Sequence, residues 1–366
     1  MDGVAQLKKR TFGPAMYYAS DKNVFDALIQ HRVDAPTLAV LFERRNMIVS
    51  KKTPRDDLAE YFSRLPHDYY DHRIISEKLG ILPRRERTTS MDLVGTIDPE
   101  ELKFALEEIK KEIVANGDVA HIVRNGNDFT LRIQYSLIDY KKTEFAQQQI
   151  KDGVVEFIKS AEGYLINNAQ NEFMNAVRDE VVAKVDMLIP DDIERVTVNL
   201  YDVIDPKMRT RFFIDLSTSL DGFSRRDVSD VYVYKPKLGI DDEELASDEH
   251  ETHIEKVLLK GNGVTRSSLL LDLVDEDAFY IFKMCWTAQR ALGNGDVISV
   301  EVMFADPKNC TDFSVLVKSV YPYVDGKLGK KRTPLKSEID SISRLIERAA
   351  REQMQKLRTE CTQGDE

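Results

Sequence analysis

The chain has 366 residues, of which 42% are hydrophobic and 31% are charged, and its formal net charge is −11. This composition is typical of a soluble globular protein with two or three domains. No apolar run approaches the roughly 18 residues that a membrane helix needs. The three cysteines, Cys285, Cys310 and Cys361, form no CxxC pair. The sequence therefore argues against a membrane protein, a disulfide framework and a zinc knuckle, and it predicts a cytoplasmic location.

Positive charge is concentrated near the amino end of this acidic chain. Residues 1–90 hold 16 Lys and Arg against 12 Asp and Glu. Such an asymmetry is a hint of a module that faces a polyanion, carried on an otherwise acidic body. A surface on which neighbouring carboxylates neutralise the cations would give the same count, so both interpretations stay open.

The first ninety residues carry helix signals. Asp21 is a candidate cap for the segment "KNVFDALIQHR", which has its apolar residues on one face. Thr53 offers a hydroxyl as the cap of a later helix, with Pro54 at the first helical position. Pro66 ends that helix, and residues 81–90 have the composition of a linker. The pattern predicts a small helical module.

From residue 97 onward, helical and strand patterns alternate. Asp98, Pro99 and Glu101 form a capping-box pattern at the start of a helix that Gly117 should end. Short antiparallel strands and a long amphipathic helix follow. Residues 239–253 are strongly acidic and predict a solvated linker. Beyond them, several apolar segments, including "SSLLLDLV", are predicted to be strands.

These patterns predict an α+β protein. We expect a helical module over residues 1–90, a central α+β domain over 91–238, a β-rich domain over 253–330 and a C-terminal amphipathic helix over 333–361. Both larger domains should be built on antiparallel sheets. The apolar stripe of the terminal helix fits packing on the chain's own core, and it also fits a protein partner or a second copy.

The sequence carries no catalytic signature. It has no Walker A loop, no paired-glycine dinucleotide fingerprint and no GxSxG elbow. A metal-dependent nuclease needs an acid on one strand and Glu-x-Lys on the next. Glu108-Ile109-Lys110 falls in a predicted helix, and Glu156 and Lys159 would point to opposite faces of a strand. We therefore predict no catalytic residue, metal ligand or cofactor, and a nuclease with a divergent site is the alternative.

The strongest functional signal is "LFERRNMIVSKKTPRDDLAEYFSRL", residues 41–65. Two short helices joined by an extended basic loop would bring cations, hydroxyl groups and helix-start amides around one turn. The candidate nucleic-acid-binding residues are Arg44, Arg45, Ser50, Lys51, Lys52, Thr53 and Arg55. A second cluster, Arg84, Arg85 and Arg87, would extend this basic track along a nucleic-acid strand.

Residues 36–65 resemble a SAP-type helix–extended loop–helix module. The resemblance rests on "LFERRNMIVSKK" and "LAEYFSRL", which supply a short helix, a hydrophobic-then-serine loop with lysines and a second helix closing on Arg-Leu. Asn46 and Lys51 stand where the family usually has glycine. The resemblance implies binding to the DNA or RNA backbone, through the basic positions that match.

The sequence as a whole predicts a non-catalytic nucleic-acid-binding subunit or adaptor of a larger intracellular machine, with DNA as the expected partner. The alternatives are the divergent nuclease and a protein scaffold without a nucleic-acid role. Tyr61, Tyr69 and Tyr70 could stack on exposed bases, but their helical spacing is more typical of core residues.

Overall fold

The computed structural model describes residues 19–79, 86–141, 143–189, 192–236, 254–261, 263–275, 278–291, 295–324 and 326–364. Within these residues, helices and a large antiparallel sheet form an α+β fold, which confirms the predicted class.

The elements are numbered in chain order. The helices are α1 (Asp21–Leu28), α2 (Ala35–Glu43), α3 (Arg55–Ser63), α4 (Tyr69–Leu79), α5 (Pro99–Ala115), α6 (Glu144–Gln147), α7 (Glu172–Leu188), α8 (Pro206–Thr218), α9 (Ser268–Asp275) and α10 (Lys336–Gly364). The strands are β1 (Thr88–Val94), β2 (Val119–Asn125), β3 (Asp128–Ile138), β4 (Gln148–Lys159), β5 (Gly163–Ala169), β6 (Glu194–Val196), β7 (Phe223–Tyr234), β8 (Lys256–Lys260), β9 (Tyr280–Arg290), β10 (Val297–Asp306), β11 (Thr311–Tyr321), β12 (Tyr323–Val324) and β13 (Lys327–Leu328).

Contacts divide the chain into two compact units that are discontinuous in sequence. The first unit takes Met1–Arg85, Asp98–Val155 and Ala176–Leu188, and the second unit takes Glu86–Ile97, Glu156–Asn175 and Ile189–Glu366. This division follows contacts rather than chain order. The contiguous domain ranges expected from the sequence stay a prediction.

The first unit begins with α1 to α4, which pack around a small apolar core. Ser20 and Asn23 form a capping box at the start of α1, so Ser20 is the cap and Asp21 is the first helical residue, contrary to expectation. Asp34 caps α2 by accepting a hydrogen bond from the Thr37 N–H at 3.0 Å. The buried core contains Val24, Leu28, Leu38, Leu41, Phe42, Phe62, Ile75 and Phe145.

Helix α5 of the first unit starts as the sequence predicts. Asp98 and Glu101 form the capping box, and Pro99 is the first helical residue. The helix ends at Ala115, and Gly117 takes a left-handed conformation with φ 83°. Strands β2 and β3 then form an antiparallel hairpin whose turn contains Gly126.

The second unit is built on an antiparallel sheet in the order β5-β1-β11-β10-β9-β7-β8, with β6 paired to β1. Helices α8 and α10 pack on one face of this sheet. The shared core includes Phe212, Phe213, Leu216, Met284, Trp286, Val300, Val302, Ile342, Ile346 and Ala350. The chain's own sheet therefore covers the apolar stripe of α10, and a partner or a second copy bound through this helix stays a prediction.

The strand predicted for the segment "SSLLLDLV" is wrong. The segment "SSLLLDLV" forms most of α9, in which Leu270 and Val274 are buried while Leu269 and Leu271 are each 53% exposed. The buried pair is four residues apart, which is the spacing of one helix face. A continuous apolar run is compatible with either a helix or a buried strand, so the sequence pattern alone could not separate them.

Helix α10 buries one carboxyl group, that of Glu347, which is 2% exposed. Burial raises the pKa of this carboxyl to about 7, although Ser90 and Arg351 favour its charged form. Arg351 itself forms an ion pair with Asp92, with Nε and Oδ2 2.6 Å apart. Glu347 is thus a buried acid whose charged form is poorly compensated.

We expect Glu347→Gln to stabilise the protein at pH 8 and to have little effect at pH 5. Because the folded pKa of about 7 lies above the ordinary value of 4.5, the native protein loses stability as the pH rises from about 4.5 to 7. The gain at pH 8 should not exceed about 3 kcal/mol, at 1.36 kcal/mol for each pKa unit. Urea unfolding of the variant and the parent at both pH values measures this gain in the free energy of unfolding. Glu352→Gln, on the exposed side of the same helix, is the matched control, and equal effects at both pH values would contradict the prediction.

Gly163 permits a close approach of two backbone segments. Its φ is +153°, and a Cβ placed there would lie 1.9 Å from the Leu93 carbonyl oxygen on the paired strand. Gly222 has φ +73°, but a Cβ there would meet open space.

We expect Gly163→Ala to lower the free energy of unfolding well beyond the effect of Gly222→Ala. The control substitution should cost only the left-handed strain of about 1–2 kcal/mol, whereas a methyl group on Gly163 requires β1 and β5 to separate. Urea midpoints of the two variants test this, and equal losses would show that the pairing of β1 with β5 adapts freely.

Candidate functional site

The predicted basic loop lies between α2 and α3, where turns flank a short irregular segment over residues 47–50. Asn46 takes the left-handed conformation with φ 58°, and its N–H donates to the Glu43 carbonyl at 2.8 Å, which ends α2 in a tight turn. Ile48 is fully exposed. The Ser50 hydroxyl oxygen accepts from the Lys52 N–H at 3.2 Å, forming a second turn before α3. We call residues 44–53 the basic loop.

Arg45 points into the module. Its guanidinium donates to the Asp71 carboxylate, which is buried, and it lies 5.0 Å from the centre of the Phe62 ring. A buried carboxylate that lost this partner would be left uncompensated, at a cost of about 3–5 kcal/mol. The contact ties the loop to α3 and α4, so Arg45 has a structural role.

Arg55 is also committed to the fold. Its Nε donates to the Val33 carbonyl at 2.7 Å, and its Nη2 donates to the carbonyls of Leu28, at 2.8 Å, and Gln30. These carbonyls lie at and just beyond the C-terminal end of α1, where a cation is favoured. Arg55 therefore joins the start of α3 to the end of α1.

Three basic-loop cations remain exposed. The Arg44 guanidinium lies 4.0 Å from the Asp68 carboxylate, at the limit of an ion pair. Lys51 and Lys52 are exposed and form no ion pair with any residue of the described ranges. Thr53 is not the cap of α3, because Pro54 occupies that position without a side-chain hydrogen bond. Since the side chain of Thr53 is not engaged as a cap, it stays near the lysines as a candidate donor.

Three tyrosines near this loop are exposed, contrary to the expectation that they belong to the core. Tyr61, Tyr69 and Tyr70 are 52%, 70% and 59% exposed. The Tyr61 ring stacks on Phe42 with centroids 5.9 Å apart, and Arg44 lies 5.8 Å from the centre of the Tyr70 ring.

The second predicted basic cluster is divided between residues outside the described ranges and the second unit. Arg84 and Arg85 lie outside those ranges. Arg87 belongs to the second unit, where its guanidinium donates to the Glu301 carboxylate. The proposed track from the basic loop through Arg87 therefore stays a prediction.

Glu301 is the centre of a charged cluster that sequence reasoning missed. It is 5% exposed, and it lies on β10 opposite Cys285 of β9. The Lys283 and Lys318 ammonium groups approach its carboxylate to 3.0 and 3.4 Å. We call Arg87, Lys283, Cys285, Glu301 and Lys318 the Glu301 cluster. Its members are up to 231 positions apart in sequence, so no local motif reveals them.

Electrostatics fix the charge states in this cluster. Burial alone would raise the pKa of Glu301, but hydrogen bonds from Cys285, Arg87 and Lys283 lower it to about 2. Burial and the neighbouring Glu301 raise the pKa of the Cys285 thiol to about 12. The thiol therefore stays protonated and donates to Glu301 over 3.1 Å. A neutral thiol is a poor nucleophile, so cysteine chemistry is not favoured here.

Among the described residues, no three side chains of His, Cys, Asp and Glu come together as a metal site. Across the same ranges, no helix combines the length and the apolar character needed to cross a membrane.

Comparison with protein-family models and with curated proteins found no match to this chain. The resemblance of residues 36–65 to a SAP-type module stays a prediction.

We expect Arg55→Gln to destabilise the first unit while Lys51→Gln does not. The first change removes charge-assisted hydrogen bonds to three carbonyls, each worth about 1.5–3 kcal/mol, so a loss of at least about 2 kcal/mol is expected. The second change removes an exposed charge and should stay within about 0.5 kcal/mol. Urea unfolding followed by tyrosine fluorescence compares them. Equal stability of the two variants would place Arg55 among the solvent-facing cations.

Proposed function

We propose that the basic loop binds the backbone of single-stranded nucleic acid, DNA in particular, and that the protein is a non-catalytic binding subunit or adaptor. The observation that carries this proposal is the position of Lys51 and Lys52. They are exposed and form no ion pair with a described residue, and three exposed tyrosines lie on α3 and α4 of the same module.

The division of labour among the cations supports phosphate contacts by lysine. Arg45 and Arg55 use their guanidinium groups inside the module. The ammonium groups of Lys51 and Lys52 form no ion pair in the described fold. An ammonium group on a flexible stem suits contacts with a phosphate of variable position. Non-specific binding to nucleic acid requires no more than such phosphate contacts.

The tyrosines favour a single strand. Every base offers a π-face, and an aromatic side chain can stack on it only when the base is unpaired. Tyr69 and Tyr70 are exposed in the first turn of α4, and Arg44 lies against the Tyr70 ring. A strand held by the lysines could thus place a base on Tyr70.

The start of α3 is not part of the proposed contact. Its first turn carries Asp56 and Asp57. These carboxylates satisfy the positive end of the helix and would repel a phosphate there. The contact set is therefore Arg44, Ser50, Lys51, Lys52 and Thr53, a smaller group than the sequence predicted. The resemblance of residues 36–65 to a SAP-type module supports the same mode of backbone binding.

We expect the protein to bind a fluorescently labelled single-stranded oligonucleotide with steep salt dependence. About three phosphate contacts at a slope of roughly −0.7 each would weaken binding about twentyfold between 50 and 200 mM salt. Lys51→Glu with Lys52→Glu should abolish this binding. Lys330→Glu with Lys331→Glu, another exposed pair of adjacent lysines, is the matched control and should bind normally.

The tyrosine contact has its own control in the same assay. Tyr70→Ala should weaken single-strand binding about tenfold, because one stacked base is worth about 1–3 kcal/mol, and Tyr70→Phe should retain it. Undiminished binding by the Lys51 and Lys52 double variant would overturn the proposal. Co-purification of a protein partner without any nucleic-acid binding would favour a scaffold instead.

A further inference from the structure

We propose that the Glu301 cluster is a binding site for a phosphate monoester group. This site lies wholly in the second unit, and the inference is independent of the proposed nucleic-acid contact in the first unit.

The site lies on the sheet face opposite α8 and α10. Side chains alternate between the two faces of a strand. Val300 and Val302 belong to the core beneath the helices, so Glu301 points to the other face. Cys285 lies directly opposite Glu301 on β9, and Lys283 is two positions along the same strand. The cations of the cluster thus lie on a face that these helices leave uncovered.

The cluster holds more positive than negative charge. Arg87, Lys283 and Lys318 converge on the single carboxylate of Glu301. Asp230 of β7 also faces this region, but it is offset by Lys260, whose ammonium nitrogen is 3.8 Å from its carboxylate. Within the Glu301 cluster itself, positive charge thus exceeds negative charge by two. Its partial burial makes this excess costly, and a bound anion would relieve it.

Arg87 supplies an independent sign of a missing partner. One of its terminal nitrogens donates to Glu301, while the other, Nη1, is buried and has no hydrogen-bond partner among the described residues. A buried guanidinium donor without an acceptor is destabilising, and such groups call for an unseen acceptor. A guanidinium fork shared between Glu301 and an incoming oxyanion would satisfy both nitrogens.

The cations differ in exposure in a way that suits ligand entry. The Lys283 side chain is 18% exposed, that of Arg87 is 22% exposed and that of Lys318 is 37% exposed. The site is therefore open to solvent on the Lys318 side and closed at Glu301. Lys283 is fixed further by the Tyr232 ring, whose centre lies 4.4 Å from its ammonium nitrogen. Such preorganised donors bind an anion without ordering costs of their own.

The charge selects the ligand class. A phosphate monoester carries roughly 1.5 to 2 negative charges near pH 7 and offers three acceptor oxygens, which matches the excess of positive charge in the cluster. A monocarboxylate would leave part of that excess uncompensated. A sugar phosphate and a 5′-phosphorylated oligonucleotide end both carry this group, and inorganic phosphate has a similar charge and similar acceptor oxygens. The experiment separates these sources.

Isothermal titration calorimetry on the full chain tests the site, with sodium chloride at matched ionic strength as the reference. Inorganic phosphate should bind one per chain. Lys318→Gln should weaken binding about tenfold, the scale of one charge-assisted hydrogen bond. Arg87→Lys, which keeps the charge and removes the Nη1 donor, should weaken it as well. Lys308→Gln, an exposed lysine at the β10–β11 turn, is the matched control and should bind as the parent does.

The titration is repeated with glucose 6-phosphate and with an oligonucleotide carrying either a 5′-phosphate or a 5′-hydroxyl. Tighter binding of one phosphate-bearing ligand than of inorganic phosphate identifies the source. Equal binding of phosphate by Lys318→Gln and the parent, with the variant folded as judged by thermal unfolding, would overturn the proposal. Binding weaker than about 10 mM for all three ligands would overturn it too.

The outcome is separable from that of the nucleic-acid proposal. The Lys51 and Lys52 double variant should bind inorganic phosphate normally, and Lys318→Gln should bind the 5′-hydroxyl oligonucleotide normally. Loss of both activities in either variant would contradict the independence of the two sites.

Discussion

A β-sheet has two faces, and in the second unit α8 and α10 cover one of them. That constraint determines which residues of the central strands are apolar. The covered face collects the large apolar side chains, among them Trp286, Phe304 and Val315. The other face carries Lys283, Cys285 and Glu301 on two adjacent central strands. Cys285 and Glu301 are buried there, so these polar groups must satisfy one another and their basic neighbours, which produces the Glu301 cluster.

The basic residues of the chain serve two different purposes, and side-chain chemistry separates them. Guanidinium groups present several donors in a fixed plane, which suits contacts with buried carboxylates and backbone carbonyls. Arg45, Arg55 and Arg87 all serve in this way. Lys51 and Lys52 do not, and they face solvent. The number of basic residues near the amino end is therefore larger than the number available to bind a polyanion, because some of them stabilise the fold.

Much of the local structure could be predicted because it depends on neighbours in sequence. The capping box of Asp98 and Glu101 and the helix ending near Gly117 both follow from local hydrogen bonding. The wrong predictions also concern local structure. Thr53 was expected to cap α3, but Pro54 has that position. The apolar run in α9 was expected to be a strand. A continuous apolar run shows neither the helix period nor the strand period, so its sequence does not separate the two structures.

Periodicity and contacts within a few residues were enough to establish the α+β class, the helix starts with strong caps and the place of the basic loop. They could not establish which cations are exposed, because Asp71 reaches Arg45 from another helix and the carbonyls beyond α1 reach Arg55. The Glu301 cluster likewise needed the folded chain, because the pairing of β9, β10 and β11 brings together side chains that are distant in sequence. Burial and charge compensation depend on all neighbours in space, and sequence spacing reports only the neighbours along the chain.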